Sequence, residues 1–179
     1  MTLRYEINPP KIIQDSNLSQ GDTLKLLDKV KLRVSEISTL CDGIHFTDSV
    51  LGVTRISPIT TGTLIRKSNQ KIEITASLRV RDKNLPTLRQ LMDDAVLGEL
   101  NGVLILKGDA SPNEQKDSGL IPSSTVKYFK ELGFDKKIDI YLSLPSNPNF
   151  DKIQKKNRCR TYRIYHTGNS FCRRGFKNC

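Results

Sequence analysis

Polar residues follow each of five β-rich segments in this chain, and several are of types that do chemistry. Glu6 ends the first segment, and a carboxylic acid in a partly buried position can act as a general acid. Lys107 is a suitable partner for a phosphate because it carries a compact point charge. The candidate positions are Glu6, Thr47 and Asp48, Ser77 to Arg81, Lys107-Gly108-Asp109, and Ser143 to Asn147.

Each candidate also has an ordinary explanation. A glutamate at a strand end is often only a loop carboxylate, and the pair Gly108-Asp109 is typical of a turn or a helix cap. Thr47 is of a type common in strands. His45 lies inside a segment, where a packed or surface histidine is expected rather than a ligand. The candidates therefore indicate a site only because they fall at equivalent ends of successive segments.

The elements that must position these residues alternate along the chain. Predicted strands span residues 3–7, 43–47, 71–80, 102–108 and 137–144, and predicted helices span 23–38, 57–68, 85–100 and 123–133. Repeated strand-then-helix order predicts βαβ units, right-handed crossovers and a parallel sheet. The fold class is therefore α/β, in which ligands bind at the carboxyl ends of the strands.

Two of the helices carry specific predictions. The first is expected to bury one apolar stripe, which consists of Leu24, Leu27, Val30, Leu32 and Val34. The third is predicted to start after Asn84 as its N-cap, with Pro86 in its first turn, and to stop at Asn101-Gly102.

The net charge of +10 invites a nucleic-acid interpretation, but the charge is confined to one end of the chain. Residues 155–179 hold eight of the 29 Lys and Arg and none of the 19 Asp and Glu, which leaves 21 basic against 19 acidic residues elsewhere. Cysteine follows the same pattern, because Cys41 alone lies outside this tail. A single body cysteine favours a reducing compartment, and no apolar run is long enough to span a membrane. We expect a cytoplasmic protein of one domain.

Several common catalytic signatures are missing from the sequence. It contains no G-x-G-x-x-G, no Walker A loop, no H-E-x-x-H and no G-x-S-x-G. These absences exclude the commonest dinucleotide, nucleotide, zinc-protease and hydrolase motifs. A flavin site in a barrel needs no glycine fingerprint and stays open.

Five segments together resemble the methylenetetrahydrofolate reductase family of flavin enzymes. They are RYEINPPK (4–11), HFTDSVLGVTRISPI (45–59), SLRVRDKN (77–84), LILKGD (104–109) and YLSLPSNPNFDKIQKK (141–156). They occur in the family's order and at the matching strand ends, and they cover nearly all of residues 1–156. The resemblance implies the first five βα units of a TIM (β/α)8 barrel. The barrel is incomplete, because a whole one has eight strands.

The resemblance also implies an activity: reduction of 5,10-methylenetetrahydrofolate or a related pterin to the methyl form, with FAD as cofactor and NADH or NADPH as reductant. Glu6 would be the acid that protonates the pterin-side amine, and Asp109 would lie near flavin and pterin and stabilise the cationic iminium. The implied cofactor contacts are Thr47, Asp48, Ser77, Lys107, Gly108, Asp109, Ser143, Leu144, Asn147 and Lys156. No metal, nucleic acid or membrane is expected, and homo-oligomerisation of the full-length protein stays open.

Two positions depart from the family pattern. Ser77 stands where the family usually has histidine, and Arg79 stands where it has threonine. These replacements put the usual strand-three contacts with the flavin in doubt. A variant cofactor or an altered pterin is an alternative.

The tail does not continue the resemblance. Residues 157–179 form a basic segment of a different composition, and the A-rich codons possible for Lys155, Lys156 and Asn157 could hide a frameshift. Dropping one base there permits a segment containing Ala-Gly and then Ile-Thr-Gln, which is what the family would have. We therefore expect residues 1–156 to be a partial reductase barrel and 157–179 to be out of frame, so that the 179-residue chain expresses poorly and binds no FAD.

Three alternatives remain. The tail, read literally, offers zinc ligands and aromatic residues between arginines, a composition that can bind metal or nucleic acid. The four ligands would be Cys159, His166, Cys172 and Cys179. A second alternative is another FAD-dependent barrel enzyme, such as a proline dehydrogenase. The third is that the chain as written has no activity.

Overall fold

The computed structural model describes residues 3–12, 19–68, 71–110 and 117–143, and the backbone of one further strand at 163–165. The strands are β1 (Arg4–Ile7), β2 (Gly43–Phe46), β3 (Glu73–Arg79), β4 (Gly102–Leu106), β5 (Asp139–Ser143) and β6 (Arg163–Tyr165). The helices are α1 (Gln20–Ile37), α2 (Pro58–Ser68), α3 (Leu85–Leu97) and α4 (Pro122–Glu131).

The strands form one parallel sheet whose spatial order follows the chain order from β1 to β6. Because each crossover from one parallel strand to the next is right-handed, a sheet that never reverses its order carries its helices on one face. The contacts of α1 with α2 and of α2 with α3 agree with this arrangement. The predicted α/β class and parallel sheet are confirmed. The sixth strand is additional to the five that the sequence predicts.

Helix α1 begins about two turns before the first residue of its buried stripe. Its N-cap is Ser19, whose hydroxyl accepts a hydrogen bond from the amide of Asp22 at 3.2 Å. The buried residues are Leu27, Val30 and Val34. The stripe predicted from the sequence was wrong at two positions, because Leu24 and Leu32 are 51 and 63 % exposed. Leu32 lies five positions after Leu27 and two before Val34, spacings that place it on another side of a 3.6-residue helix.

Helix α3 begins as predicted and ends earlier. The Asn84 side chain accepts a hydrogen bond from the amide of Thr87 at 2.9 Å, and Pro86 stands in the first turn. The helix ends at Leu97, with Gly98 as C-cap and Glu99 in the left-handed region at φ 55°. The predicted stop at Asn101-Gly102 is therefore wrong, and those two residues lead directly into β4.

The hydrophobic core lies between the helices and one face of the sheet. Alternate strand residues point to this face, because side chains in a strand alternate between the two sides. The fully buried members from the strands are Ile44, Phe46, Ile74, Ala76, Leu78, Val103 and Ile105, and those from the helices include Leu88, Met92, Val126 and Phe129.

The opposite face of the sheet is mostly polar. We call it the polar face, and it consists of Arg4, Glu6, His45, Glu73, Thr75, Ser77, Arg79, Leu104, Leu106, Asp139, Tyr141 and Ser143. At its amino end the buried Arg4 forms an ion pair with Glu73 at 2.5 Å. None of the helices that the structure describes is both long and apolar enough to cross a bilayer.

Candidate functional site

The carboxyl ends of the strands bring most of the predicted site residues to one edge of the sheet. We call this edge the carboxyl rim, and it comprises residues 6–8, 47–52, 79–83, 107–109 and Ser143. Because all strands run parallel, segments that are far apart in the chain end side by side here. Glu6 and Asp109 are exposed at this rim, and Thr47, Lys107 and Ser143 are half-buried.

The first two rim segments are joined to each other. Thr47 donates its hydroxyl hydrogen to Oδ1 of Asn8 at 2.5 Å. Further along, Lys11 and Arg55 form an antiparallel bridge, flanked by backbone hydrogen bonds from Ile12 to Thr54 at 3.0 Å and from Ile56 to Pro10 at 2.9 Å. The proline-containing segment after Glu6 is therefore held against the segment after Thr47.

Glu6 is an exposed carboxylate beside a buried imidazole. It pairs in register with His45 on the neighbouring strand, so the two side chains leave the sheet on the same polar face. Within the part of the chain that the structure describes, the Glu6 carboxylate has no hydrogen-bond or ion-pair partner. Its carboxyl group is therefore available to exchange a proton with a ligand at the rim.

His45 is the centre of a buried network that sequence reasoning missed. Its Nδ1 lies 2.8 Å from Oγ1 of Thr75, and its Nε2 lies 2.9 Å from Oγ of Ser77. The Thr75 hydroxyl uses its hydrogen toward the carbonyl of Ile44 at 3.4 Å, so it accepts from Nδ1. This assigns the neutral tautomer with hydrogen on Nδ1, and Ser77 then donates to Nε2.

Burial and the nearby charge of Arg4 lower the pKa of His45 to about 4. The imidazole is 6 % exposed, so the charged form loses most of its hydration. The signal for this network was present in the sequence, since Thr75 and Ser77 alternate with Ile74, Ala76 and Leu78 along a strand. That alternation predicts a strand with one polar face, and His45 lies on the neighbouring strand at the same level.

The burial of Ser77 argues against the direct cofactor contact predicted for it. The residue is 2 % exposed, and its hydroxyl hydrogen is already donated to His45. A ligand at the rim would meet the neighbouring Arg79 before it met Ser77. Ser77 therefore belongs to the layer beneath the rim.

Asp48, another predicted cofactor contact, is instead bound to protein groups. One of its oxygens, Oδ2, accepts from the backbone amide of Arg79 and from Nζ of Lys83, each at 3.1 Å. The Asp48 side chain is 8 % exposed. The two donors belong to β3 and to the turn that follows it. The Asp48 carboxylate therefore joins the end of β2 to the end of β3.

Asp82 completes the same ionic cluster. It accepts from Arg79 at 2.6 Å and from Lys83 at 3.3 Å. Burial acts to raise the pKa of Asp82, but the charges of Lys83 and Arg79 and their hydrogen bonds outweigh it and hold the pKa below its ordinary value. Two carboxylates and two cations therefore neutralise one another at the end of β3.

Lys107 stands at the rim with part of its binding capacity already used. Its Nζ donates to Oδ1 of Asp117 at 2.6 Å and to the carbonyl of Leu120 at 3.1 Å. The hydrogen bond from Lys107, together with one from the amide of Gly119, holds the pKa of Asp117 below its ordinary value. An ammonium group has three hydrogens, so one donor remains for a further acceptor.

Gly108 is a position where a side chain would not fit. Its φ is +87°, and a Cβ built there would lie 2.9 Å from Cβ of Arg79. The backbone between Lys107 and Asp109 can thus approach β3 closely.

Asp109 makes a contact with the turn after β2. Its Oδ2 accepts a hydrogen bond from the amide of Leu51 at 2.9 Å. The contact reaches from the end of β4 across β3, so Asp109 joins strand ends that are not neighbours in the sheet.

The remaining predicted positions lie outside the described residues. They are Leu144, Asn147, Lys156 and the tail ligands Cys159, His166, Cys172 and Cys179. The proposed frameshift begins outside the described residues and stays a prediction. Of the segment after it, residues 157–179, the structure describes only the backbone of β6. Among the residues that the structure describes, no three His, Cys, Asp or Glu side chains are grouped as metal ligands would be.

The chain matches no protein-family model, and no curated protein sequence matches it at a significant level.

Proposed function

We propose that residues 1–156 form part of a flavin-dependent reductase barrel that acts on methylenetetrahydrofolate or a related pterin. The observation that carries the proposal is the single parallel sheet in chain order, with Glu6, Thr47, Lys107, Gly108 and Asp109 at its carboxyl rim. A parallel sheet in chain order with its helices on one face is the arrangement found in the wall of a barrel. Closing it would take further strands between β6 and β1.

The rim residues fit a cofactor that combines a planar ring with phosphate groups. Lys107 has one hydrogen left for a phosphate oxygen, and Gly108 presents backbone without a side chain. Thr47 is half-exposed and already oriented by Asn8. When bound, FAD supplies the hydride transfer from NADH or NADPH to the one-carbon unit, while the protein supplies orientation and protons.

Glu6 is the proposed proton donor. Its carboxyl group is exposed at the rim and has no protein partner among the described residues, as an acid that serves a ligand should be. Protonating the substrate amine opens the five-membered ring, which prepares the one-carbon unit to accept the hydride. Asp48 and Ser77 have no place in this proposal as direct contacts, because both are buried and hydrogen-bonded to protein groups.

The proposal includes the frameshift after Lys156, and DNA sequencing tests that part first. Independent reads across codons 154–158 should show a missing base in the A-rich run. An intact frame would remove the frameshift and leave the tail as a genuine product.

The function is tested on the protein expressed from the frame-restored gene. We expect a yellow preparation with a bound-flavin spectrum and menadione-linked oxidation of methyltetrahydrofolate. Circular dichroism provides the control for folding. A folded protein that retains no flavin once free FAD is removed and that is inactive with methyltetrahydrofolate would sink the proposal.

A further inference from the structure

The turn after β2 adopts a backbone conformation that ordinary side chains avoid. Ser49, Leu51 and Gly52 have φ values of 45, 58 and 70°. Only glycine enters this left-handed region freely, because a Cβ crowds the backbone there. Such conformations persist where surrounding contacts hold them, and they are concentrated at binding and catalytic sites.

Carboxylates hold this turn on both sides. Before the turn, Asp48 accepts the backbone amide of Arg79 at 3.1 Å. Within the turn, Asp109 accepts the amide of Leu51 at 2.9 Å, from a position 58 residues later in the chain. A hydrogen bond to a charged acceptor is stronger than one between neutral groups. The amide of the left-handed Leu51 is therefore bound by a carboxylate that follows β4 in the chain.

The side chain of Leu51 gains nothing from the core. It is 73 % exposed, although leucine is usually buried and glycine would adopt this φ without strain. The strained conformation presents an apolar side chain at a rim whose other exposed residues, Glu6, Asn8 and Asp109, are polar. Apolar contact is what the face of a planar ring needs, and polar groups at its edge fix its orientation.

We propose that Asp109 is a positioning residue that holds residues 49–52 in their left-handed turn, so that Leu51 forms an apolar contact with the planar ring of the ligand. The identity of that ring, flavin or pterin, rests on the proposed function. The role of Asp109 in the turn is independent of the proposed function. It differs from charge stabilisation of the substrate, because an uncharged acceptor at this position would still hold the turn.

Amide hydrogen exchange of the 179-residue chain tests the turn without any ligand. Asp109→Asn keeps a carbonyl acceptor and should retain the protection of the Leu51 amide within about threefold, whereas Asp109→Ala should speed its exchange roughly tenfold or more. Asp28→Ala, on the exposed side of α1, is the matched control and should change nothing at Leu51. Equal exchange in wild type and Asp109→Ala would overturn the proposal, and so would equal loss of protection in Asp109→Asn and Asp109→Ala.

Flavin titration of the frame-restored protein tests the role of the side chain. Leu51→Asn tolerates the left-handed φ, so it should keep the amide protection while weakening flavin binding about fivefold or more. Asp109→Ala should bind flavin more weakly than Asp109→Asn, because only the asparagine keeps an acceptor for the Leu51 amide.

The exchange experiment and the flavin titration test separate parts of the proposal. Wild type that binds no flavin removes the proposed function and the ring contact together, and the exchange data then still decide the role of Asp109 in the turn. Unchanged flavin affinity in Leu51→Asn would overturn the ring contact alone.

Discussion

The guanidinium of Arg4 lies over the ring of Tyr141, 5.5 Å from its centroid, although three strands separate β1 from β5 in the sheet. At about 4.8 Å per strand, a flat sheet would place these two strands about 19 Å apart, beyond the combined reach of the two side chains. The sheet is therefore curved, with its polar face on the concave side. Arg4 also donates to Glu73 at 2.5 Å and lies 3.5 Å from the Tyr141 hydroxyl.

Arg4→Met should destabilise the fold, because it removes the charge that joins β1 to β3 and β5. Glu73 is 45 % exposed and can be hydrated afterwards, so we expect a loss of about 2 kcal/mol in the free energy of unfolding rather than the larger cost of a fully buried pair. Urea denaturation measures it. Lys127→Met, which breaks the exposed pair with Glu131, is the control and should cost less than about 0.5 kcal/mol. Equal effects would show that Arg4 does not hold the curvature.

Stability should fall as the pH drops from about 6.5 to about 4, because of His45. The folded state keeps this histidine neutral with a pKa of about 4, while the unfolded chain binds a proton near 6.5. The contribution of the neutral histidine to the free energy of unfolding is fully present above pH 6.5 and is lost as the pH falls through this window. At 1.36 kcal/mol per pKa unit, the loss reaches about 3 kcal/mol.

Urea denaturation at pH 7, 6 and 5 measures that loss. His45→Gln should show a flatter dependence on pH than wild type. His166→Gln, which changes the chain's other histidine, serves as control and should keep the wild-type slope. The same slope in His45→Gln as in wild type would mean that another group is responsible.

Gly108→Ala should cost more than alanine at two other left-handed glycines. Gly119 and Gly133 have φ values of 73 and 76° with nothing within 4 Å of a Cβ, so alanine there meets backbone strain alone, about 1 kcal/mol. At Gly108 the new methyl would also lie 2.9 Å from Cβ of Arg79, which we expect to add about 1 to 2 kcal/mol. Thermal unfolding of the three variants compares them. A loss of stability in Gly108→Ala no larger than in Gly119→Ala and Gly133→Ala would contradict the close approach.

Asp48→Ala should reduce stability rather than ligand affinity. It leaves the amide of Arg79 and the ammonium of Lys83 without their shared acceptor, at a cost of about 2 kcal/mol. The urea midpoint measures this cost, with Asp28→Ala as the exposed control. A tenfold loss of FAD affinity in the frame-restored protein at an unchanged midpoint would restore Asp48 as a cofactor contact.

Glu6→Gln should lower the turnover of the frame-restored protein about 100-fold or more, because glutamine cannot deliver a proton. Flavin content and KM should change little, since the side chain keeps its shape. Glu36→Gln, on the exposed side of α1, is the matched control. Menadione-linked assays of both variants measure the effect, and unchanged turnover in Glu6→Gln would remove Glu6 as the acid.

Local signals in the sequence were sufficient for the elements and for some of their ends. Asn84 and Pro86 mark the start of α3 because capping depends on residues within one turn. Leu32 was misassigned because an apolar residue was counted toward a stripe that its helical angle excludes. The stop of α3 was misplaced because a glycine at 98 ends the helix before the Asn-Gly pair does.

Local sequence signals could not predict the contacts between segments that lie far apart in the chain. Asp48 is 35 residues from Lys83, and Asp109 is 58 residues from Leu51, so nothing local distinguishes a carboxylate that fastens the sheet from one that faces a ligand. His45 seemed ordinary because its partners Thr75 and Ser77 lie on another strand. The sequence could place residues at the rim, but only the packing decides which of them are buried.

The antiparallel bridge between Lys11 and Arg55 joins residues 8–12 to residues 54–56, which continue the chain beyond the first two rim segments. Arg55 also donates to the carbonyl of Pro9 at 2.8 Å, so the prolines after Glu6 have their backbone partners in the second segment. A chimera that transplants residues 8–12 alone would leave those partners behind. Loop grafting in this architecture should therefore transfer residues 8–12 and 54–56 together.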